Sequence, residues 1–130
     1  MDFKIDTDTA AVQAMVQADI DECLGIVSLQ ILLDCNYFCK QDQSGLIASS
    51  LSQSDTENGD LIWQTAYAVA QYYLDSASHD INPNASKMWC EKAYARFGQD
   101  WEALLQKLLD YPELRSQIKA GLAGSLAALK

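Results

Sequence analysis

Between Val12 and Phe38, large apolar residues recur every three or four positions without a break. Val16, Ile20, Cys23, Val27, Ile31, Cys35 and Phe38 fall on one stripe of a helix with 3.6 residues per turn. Ile26, Leu29, Leu33 and Tyr37 widen that stripe, and Gln13, Gln17, Asp21 and Glu22 mark a wet side in the N-terminal half. A helix apolar over more than half its circumference is surrounded by other helices, so this stretch predicts the central element and a core face. Asp6, Thr7, Asp8 and Thr9 are candidate N-caps that place its start near residues 8 to 10. The pattern stops at Lys40, a cation suited to a helix C-terminus. Gly25 interrupts the run at a cost of about 1 kcal/mol relative to alanine. No proline or loop-like cluster accompanies it, so the expectation is one continuous helix in which Gly25 admits a close neighbour, rather than two helices with a bend.

The later chain reads as shorter helical pieces. Leu46, Ile47 and Leu51 predict a short helix within 41–53, weakened by serine and glycine, and SDTENGD at 54–60 is a loop with Asn58-Gly59 as its turn dipeptide. Asp60 then caps LIWQTAYAVAQYYLD, in which Ile62, Ala66, Val69, Ala70 and Tyr73 share one face, the natural partner of the first helix. Asn82-Pro83, or Asn84 one turn later, opens a helix with Trp89, Cys90, Ala93, Tyr94 and Phe97 on its apolar face, and Gly98 is its expected stop. Asp100 caps a further helix through Trp101, Leu104, Leu105, Leu108 and Leu109, which must end before Pro112. Pro112 opens the last helix, with a ladder of Leu114, Ile118, Leu122 and Leu126. Gly121, Gly124, Ser125, Ala120 and Ala128 form a small-residue face, expected to admit a neighbouring helix closely or to support a homo-oligomer.

The predicted fold is therefore all-α: a single-domain irregular bundle of five to six helices over residues 1–130, with a long N-terminal central helix. About half of the 130 residues are apolar, enough for one core and too few for two. MDFKIDTDTA lacks the basic and apolar regions of a secretory signal, and no long uncharged apolar run exists, so the expected location is the cytoplasm. In that compartment Cys23, Cys35, Cys39 and Cys90 are expected to be free thiols packed as small hydrophobes, with no metal or other cofactor.

Charge adds the one feature with functional content. Residues 1–60 hold eleven carboxylates (Asp2, Asp6, Asp8, Asp19, Asp21, Glu22, Asp34, Asp42, Asp55, Glu57, Asp60) against Lys4 and Lys40, a net −9. Residues 61–130 hold seven acids and seven bases. Such a field repels nucleic acid and anionic membrane and attracts basic partners within a reach of about 8 Å at physiological salt. Asp21, Glu22, Asp34, Asp42, Asp55, Glu57 and Asp60 are accordingly the candidate partner-binding residues, for a basic protein surface such as that of a nucleic-acid-binding protein. The expected role is a non-enzymatic acidic binding module of the inhibitor or immunity type.

Other chemistry is weakly marked. Cys35 and Cys39 share a helical face, but close CxxC pairs are absent and His79 is the single histidine. If Gly59 is the sixth position of a calcium loop, Ser54, Thr56 and Asn58 occupy the first, third and fifth and Thr65 the twelfth, where a bidentate glutamate belongs. Ser76, Ser78, His79 and Asp80 are adjacent letters rather than an assembled triad. Lys87, Lys92 and Arg96 with Trp89 and Tyr94 resemble a basic-aromatic face, yet Glu91 interrupts it and the overall field repels phosphate. The alternative role is a small helical ligand-binding or enzyme domain, with a pocket lined by Trp63, Tyr67, Tyr72, Tyr73, Trp89 and Tyr94.

Overall fold

The computed structural model describes residues 6–39, 45–65, 68–73 and 84–129. They form five α-helices: α1 (Asp6–Phe38), α2 (Leu46–Gln53), α3 (Ala68–Tyr73), α4 (Trp89–Asp110) and α5 (Arg115–Ala127), with 3-10 turns at Thr56–Asn58 and Pro112–Leu114. No strand forms among the described residues, and the sole extended pairing there is an isolated antiparallel bridge between Asp55 and Asp60. No helix among them is long and apolar enough to cross a membrane. The expected positions Lys40, Asp42, Tyr67, Ser76, Ser78, His79, Asp80, Asn82 and Pro83 lie outside the described residues.

α1 is a single helix through Gly25, as its unbroken apolar spacing predicts. It is central, packing most extensively against α4, with α5 and the Thr56–Asn58 turn against its other sides. Cys23, Ile26, Val27, Leu32, Cys35, Asn36 and Phe38 point in several directions around it, and all are buried. Trp89, Ala93, Trp101 and Leu108 of α4, Leu46 and Ile47 of α2, and Leu122 of α5 join Cys23, Ile26, Val27, Cys35 and Phe38 in one cluster. Burial of a side chain such as Ile26 or Leu108 contributes about 1.5–3 kcal/mol. The cover is incomplete at one end. Val16, expected on the core stripe, is exposed, as is Val12, and burial begins only around Ile20 and Cys23.

Three expected boundaries move, two of them because a tertiary partner takes a local backbone group. The helix expected after Asp60 does not begin there. Ile62 N–H donates to Ser54 Oγ (2.8 Å) and Gln64 N–H to Ser49 Oγ (3.1 Å), so hydroxyls of α2 and of its C-cap hold residues 61–65 non-helical. Asp60, the expected cap, instead exchanges backbone hydrogen bonds with Asp55. Asn84 likewise starts no helix. Ser86 N–H donates to Phe38 O (3.0 Å) and Met88 N–H to Tyr72 O (2.6 Å), tying the segment to α1 and α3 before α4 opens at Trp89.

The third boundary is Gly98, which does not stop α4; the helix runs from Trp89 to Asp110 and absorbs both expected pieces. A Cβ at Gly98 would stand 3.2 Å from the Tyr94 ring, so the glycine makes room for that aromatic one turn earlier. Gly121 and Gly124 serve no comparable approach, since a Cβ at either would meet nothing within 4 Å. The expected close helix packing along that face is absent among the described residues.

Candidate functional site

Gly25 brings the acidic loop onto α1. With no Cβ, it lets the backbone of the Thr56–Asn58 turn lie flat against the helix; a Cβ there would sit 3.6 Å from Glu57 Cα and 3.7 Å from Thr56 O. The turn is shaped by its own residues. Asn58 Nδ2 donates to Asp55 Oδ2 (2.6 Å), and Gly59 adopts the left-handed conformation (φ 76°) that glycine takes without strain. The predicted Asn58-Gly59 turn thus places Glu57 one helical turn from Asp21 and Glu22.

Two hollows flank Glu57. One, about 400 Å³, has Gly25, Ile26 and Leu29 in its lining, with Asp21, Glu22, Glu57 and Lys119 of α5 around them. The other, about 370 Å³, is lined by Asp21, Leu24, Ser28, Glu57, Asn58 and Gly59. Beyond Leu29, the gap between α1 and α5 continues as a smaller hollow of about 230 Å³ that includes Leu32, Leu51 and Leu126. The arrangement is a partly apolar groove rimmed by carboxylates. It suits a cationic group carried on an apolar stem, as on a lysine or arginine side chain.

The C-terminal helix modifies this charge. Arg115 is 6% exposed, and its Nε donates to Leu108 O (3.0 Å). Its Nη1 pairs with Asp19 Oδ1 (3.0 Å) and Glu22 Oε2 (3.3 Å). The hydrogen bond to Asp19 raises the guanidinium pKa further, so the cation is fixed. Around the groove stand Asp19, Asp21, Glu22 and Glu57 against Arg115 and Lys119, four negative charges and two positive, leaving a surplus of two. Sequence reading missed these two bases. Their spacing of four residues, one helical turn apart, was the available clue.

The seven expected partner-binding residues do not form one line. Asp21, Glu22 and Glu57 converge on the groove, and Asp55 and Asp60 are exposed at the base of the same loop. Asp34 sits elsewhere and is a structural acceptor, receiving Trp101 Nε1 (2.6 Å) and Gln30 Nε2 (3.0 Å). Burial raises its pKa, and those two hydrogen bonds lower it in part. Asp42 lies outside the described residues.

Of the aromatic set, Trp63, Tyr72, Tyr73 and Trp89 gather in edge-to-face contacts around a hollow of about 240 Å³. Trp89, at 1% exposure, belongs to the core. Tyr94 stands apart beside Trp101. Arg96 lies over the rings of Tyr37, Phe38 and Phe97 at 5.2–6.0 Å. With Trp89 buried and Arg96 occupied in this way, the basic-aromatic face does not assemble.

Cys23, Cys35 and Cys39 are buried free thiols and Cys90 is partly buried. The Cys35 thiol donates to Cys90, which together with burial pushes Cys35 up and pulls Cys90 down despite its own burial. Among the described residues no group of three or more histidine, cysteine or acidic side chains converges as a metal site. Comparisons with known protein families, with curated proteins and with solved structures found no match to this chain.

Proposed function

We propose that this chain is a non-enzymatic, acidic protein-binding module that engages a basic surface of a partner protein, in the manner of an inhibitor that covers a nucleic-acid-binding or cationic active-site groove. The observation that supports this reading is the convergence of Asp21, Glu22 and Glu57 on one partly apolar groove between α1, the Thr56–Asn58 turn and α5. A lysine or arginine from the partner lays its stem on Ile26 and Leu29 and its charge among the carboxylates. Arg115 is held by Asp19 and Glu22 and Lys119 lines the groove, so the partner's cation enters a patterned site rather than a diffuse negative field. Such complementarity raises the association rate and selects the partner.

The test is a partner capture repeated at low and high salt, with wild type and with an Asp21→Asn/Glu57→Gln variant. Both positions are exposed, so the variant keeps its fold. The reading requires a captured basic protein whose association slows in the variant and at high salt. Retention indifferent to both would refute it. The aromatic hollow supports the alternative ligand-binding role less well, because Trp89 and Tyr72 pack there as core.

A further inference from the structure

We propose that Cys35 and Cys90 form an oxidisable dithiol, which hydrogen peroxide converts into a disulfide joining the first turn of α4 to the last turn of α1. This inference is independent of the partner reading. Main-chain and core contacts set the two residues side by side. Ser86 N–H donates to Phe38 O (3.0 Å), which fastens the segment just before Cys90 to the helix end just after Cys35. Met88 N–H donates to Tyr72 O (2.6 Å) and pins the same segment to α3. Cys35 belongs to the core cluster and Cys90 packs against it. Between them the Cys35 thiol donates a hydrogen bond to the Cys90 sulfur.

The two thiols are unequal, and the inequality assigns their roles. Cys90 is partly exposed, whereas Cys35 is 1% exposed. Cys90 is also the second residue of α4, where the unpaired N–H groups and positive end of a helix favour a thiolate. The hydrogen bond from Cys35 pulls the Cys90 pKa down and, with burial, pushes that of Cys35 up. Cys90 is therefore the nucleophile and Cys35 the resolving thiol. The Cys90 sulfur attacks one oxygen of the peroxide: an S–O bond forms, the O–O bond breaks, and the other oxygen leaves as water with the Cys90 proton. The Cys35 sulfur then attacks the Cys90 sulfenic acid, forming the S–S bond, and the hydroxyl leaves as water with the Cys35 proton. Two thiols lose two electrons and two protons, and one hydrogen peroxide becomes two waters. The loop so closed, residues 36–89, carries α2, the Thr56–Asn58 turn and α3.

The test exposes the native full chain to hydrogen peroxide in slight molar excess, quenches with iodoacetamide and maps unreduced peptides by mass spectrometry. The expected product is a peptide pair joined through Cys35 and Cys90, two hydrogens lighter than its reduced parts and released by dithiothreitol. Fragmentation distinguishes Cys35 from Cys39, which lies on the same peptide. Cys23, fully buried and pushed up by burial, should stay reduced and take the label after unfolding. Cys90→Ala should abolish the link and leave Cys35 reduced. In Cys35→Ala, shown to be folded by circular dichroism, Cys90 lacks its resolving partner and should accumulate as a sulfenic acid that dimedone captures. A wild-type chain whose four thiols all remain open to alkylation overturns the proposal, and so does a link from Cys90 to Cys39 or to a second chain. Those readings come from the unsubstituted protein, so they decide the matter even where a change at buried Cys35 prevents folding.

Discussion

Replacing Gly25 by alanine should stabilise the protein, although the residue lies where two segments meet. The new Cβ would stand 3.6 Å from Glu57 Cα and 3.7 Å from Thr56 O, ordinary van der Waals separations that require no displacement. Helix propensity then decides the sign. Glycine inside a helix costs about 0.5–1 kcal/mol relative to alanine, so Gly25→Ala should gain about that much. For a chain of this size the gain corresponds to a rise of about 4 °C in the thermal midpoint by circular dichroism. Gly25→Leu adds atoms where the turn backbone already lies, and overpacking of this kind costs about 1–3 kcal/mol. It should also lift Glu57 away from Asp21 and slow partner association. A destabilised Gly25→Ala would refute the reasoning, because it would mean that the turn sits closer to α1 than these distances state.

Four further outcomes follow from individual contacts. Asn36, 3% exposed, donates to Ser50 Oγ and accepts from Trp63 Nε1, both at 2.9 Å; Asn36→Ala should cost about 2–4 kcal/mol in urea unfolding, through lost bonds and a stranded indole N–H. Met88 holds a left-handed φ of 52° at the start of α4, so Met88→Gly should raise the unfolding midpoint by relieving about 1 kcal/mol of backbone strain. Brief treatment with iodoacetamide near neutral pH should alkylate Cys90 before Cys23 or Cys35, read by peptide mass, because Cys90 is pulled down and the other two are pushed up. Burial raises the Asp34 pKa above 3.8, so its contribution to stability is full below that value and lost as pH rises through the folded-state pKa. Asp34→Asn, which keeps an acceptor for Trp101, should therefore gain on wild type as pH is raised from acid to neutral in parallel denaturant titrations.

The sequence carried the helices wherever burial and local preference agreed. The length of α1 was readable because its apolar period continues through Gly25 and nothing polar breaks it. The loop at 54–60 was readable because Asn58-Gly59 supplies the left-handed residue that the turn needs. Elsewhere, side-chain contacts outside the apolar period decided. Ser49 and Ser54 take the amide protons of Gln64 and Ile62, which a helix capped by Asp60 would have given to the Asp60 carbonyl and side chain. Gly98 resembles a stop in one dimension, but in space it is the gap into which the Tyr94 ring fits. No hydrophobic period encodes either fact.

Charge shows the same division between composition and fold. By sequence alone the acidic half is uniform, and any of its seven candidates could meet a partner. Folding sorts them: Trp101 takes Asp34 for the core, Arg115 crosses from α5 to Asp19 and Glu22, and the approach at Gly25 sets Glu57 beside Asp21. The bases of α5 reduce the field at the groove without cancelling it, since four carboxylates face two cations there. A weak field of this kind gives specificity only when shape accompanies it. The apolar floor at Ile26 and Leu29 provides that shape beside the Arg115 bridge. On the proposed reading a partner presents its cations on apolar stems, and a simple polycation, satisfying only the charge, should bind weakly and lose its hold as salt rises.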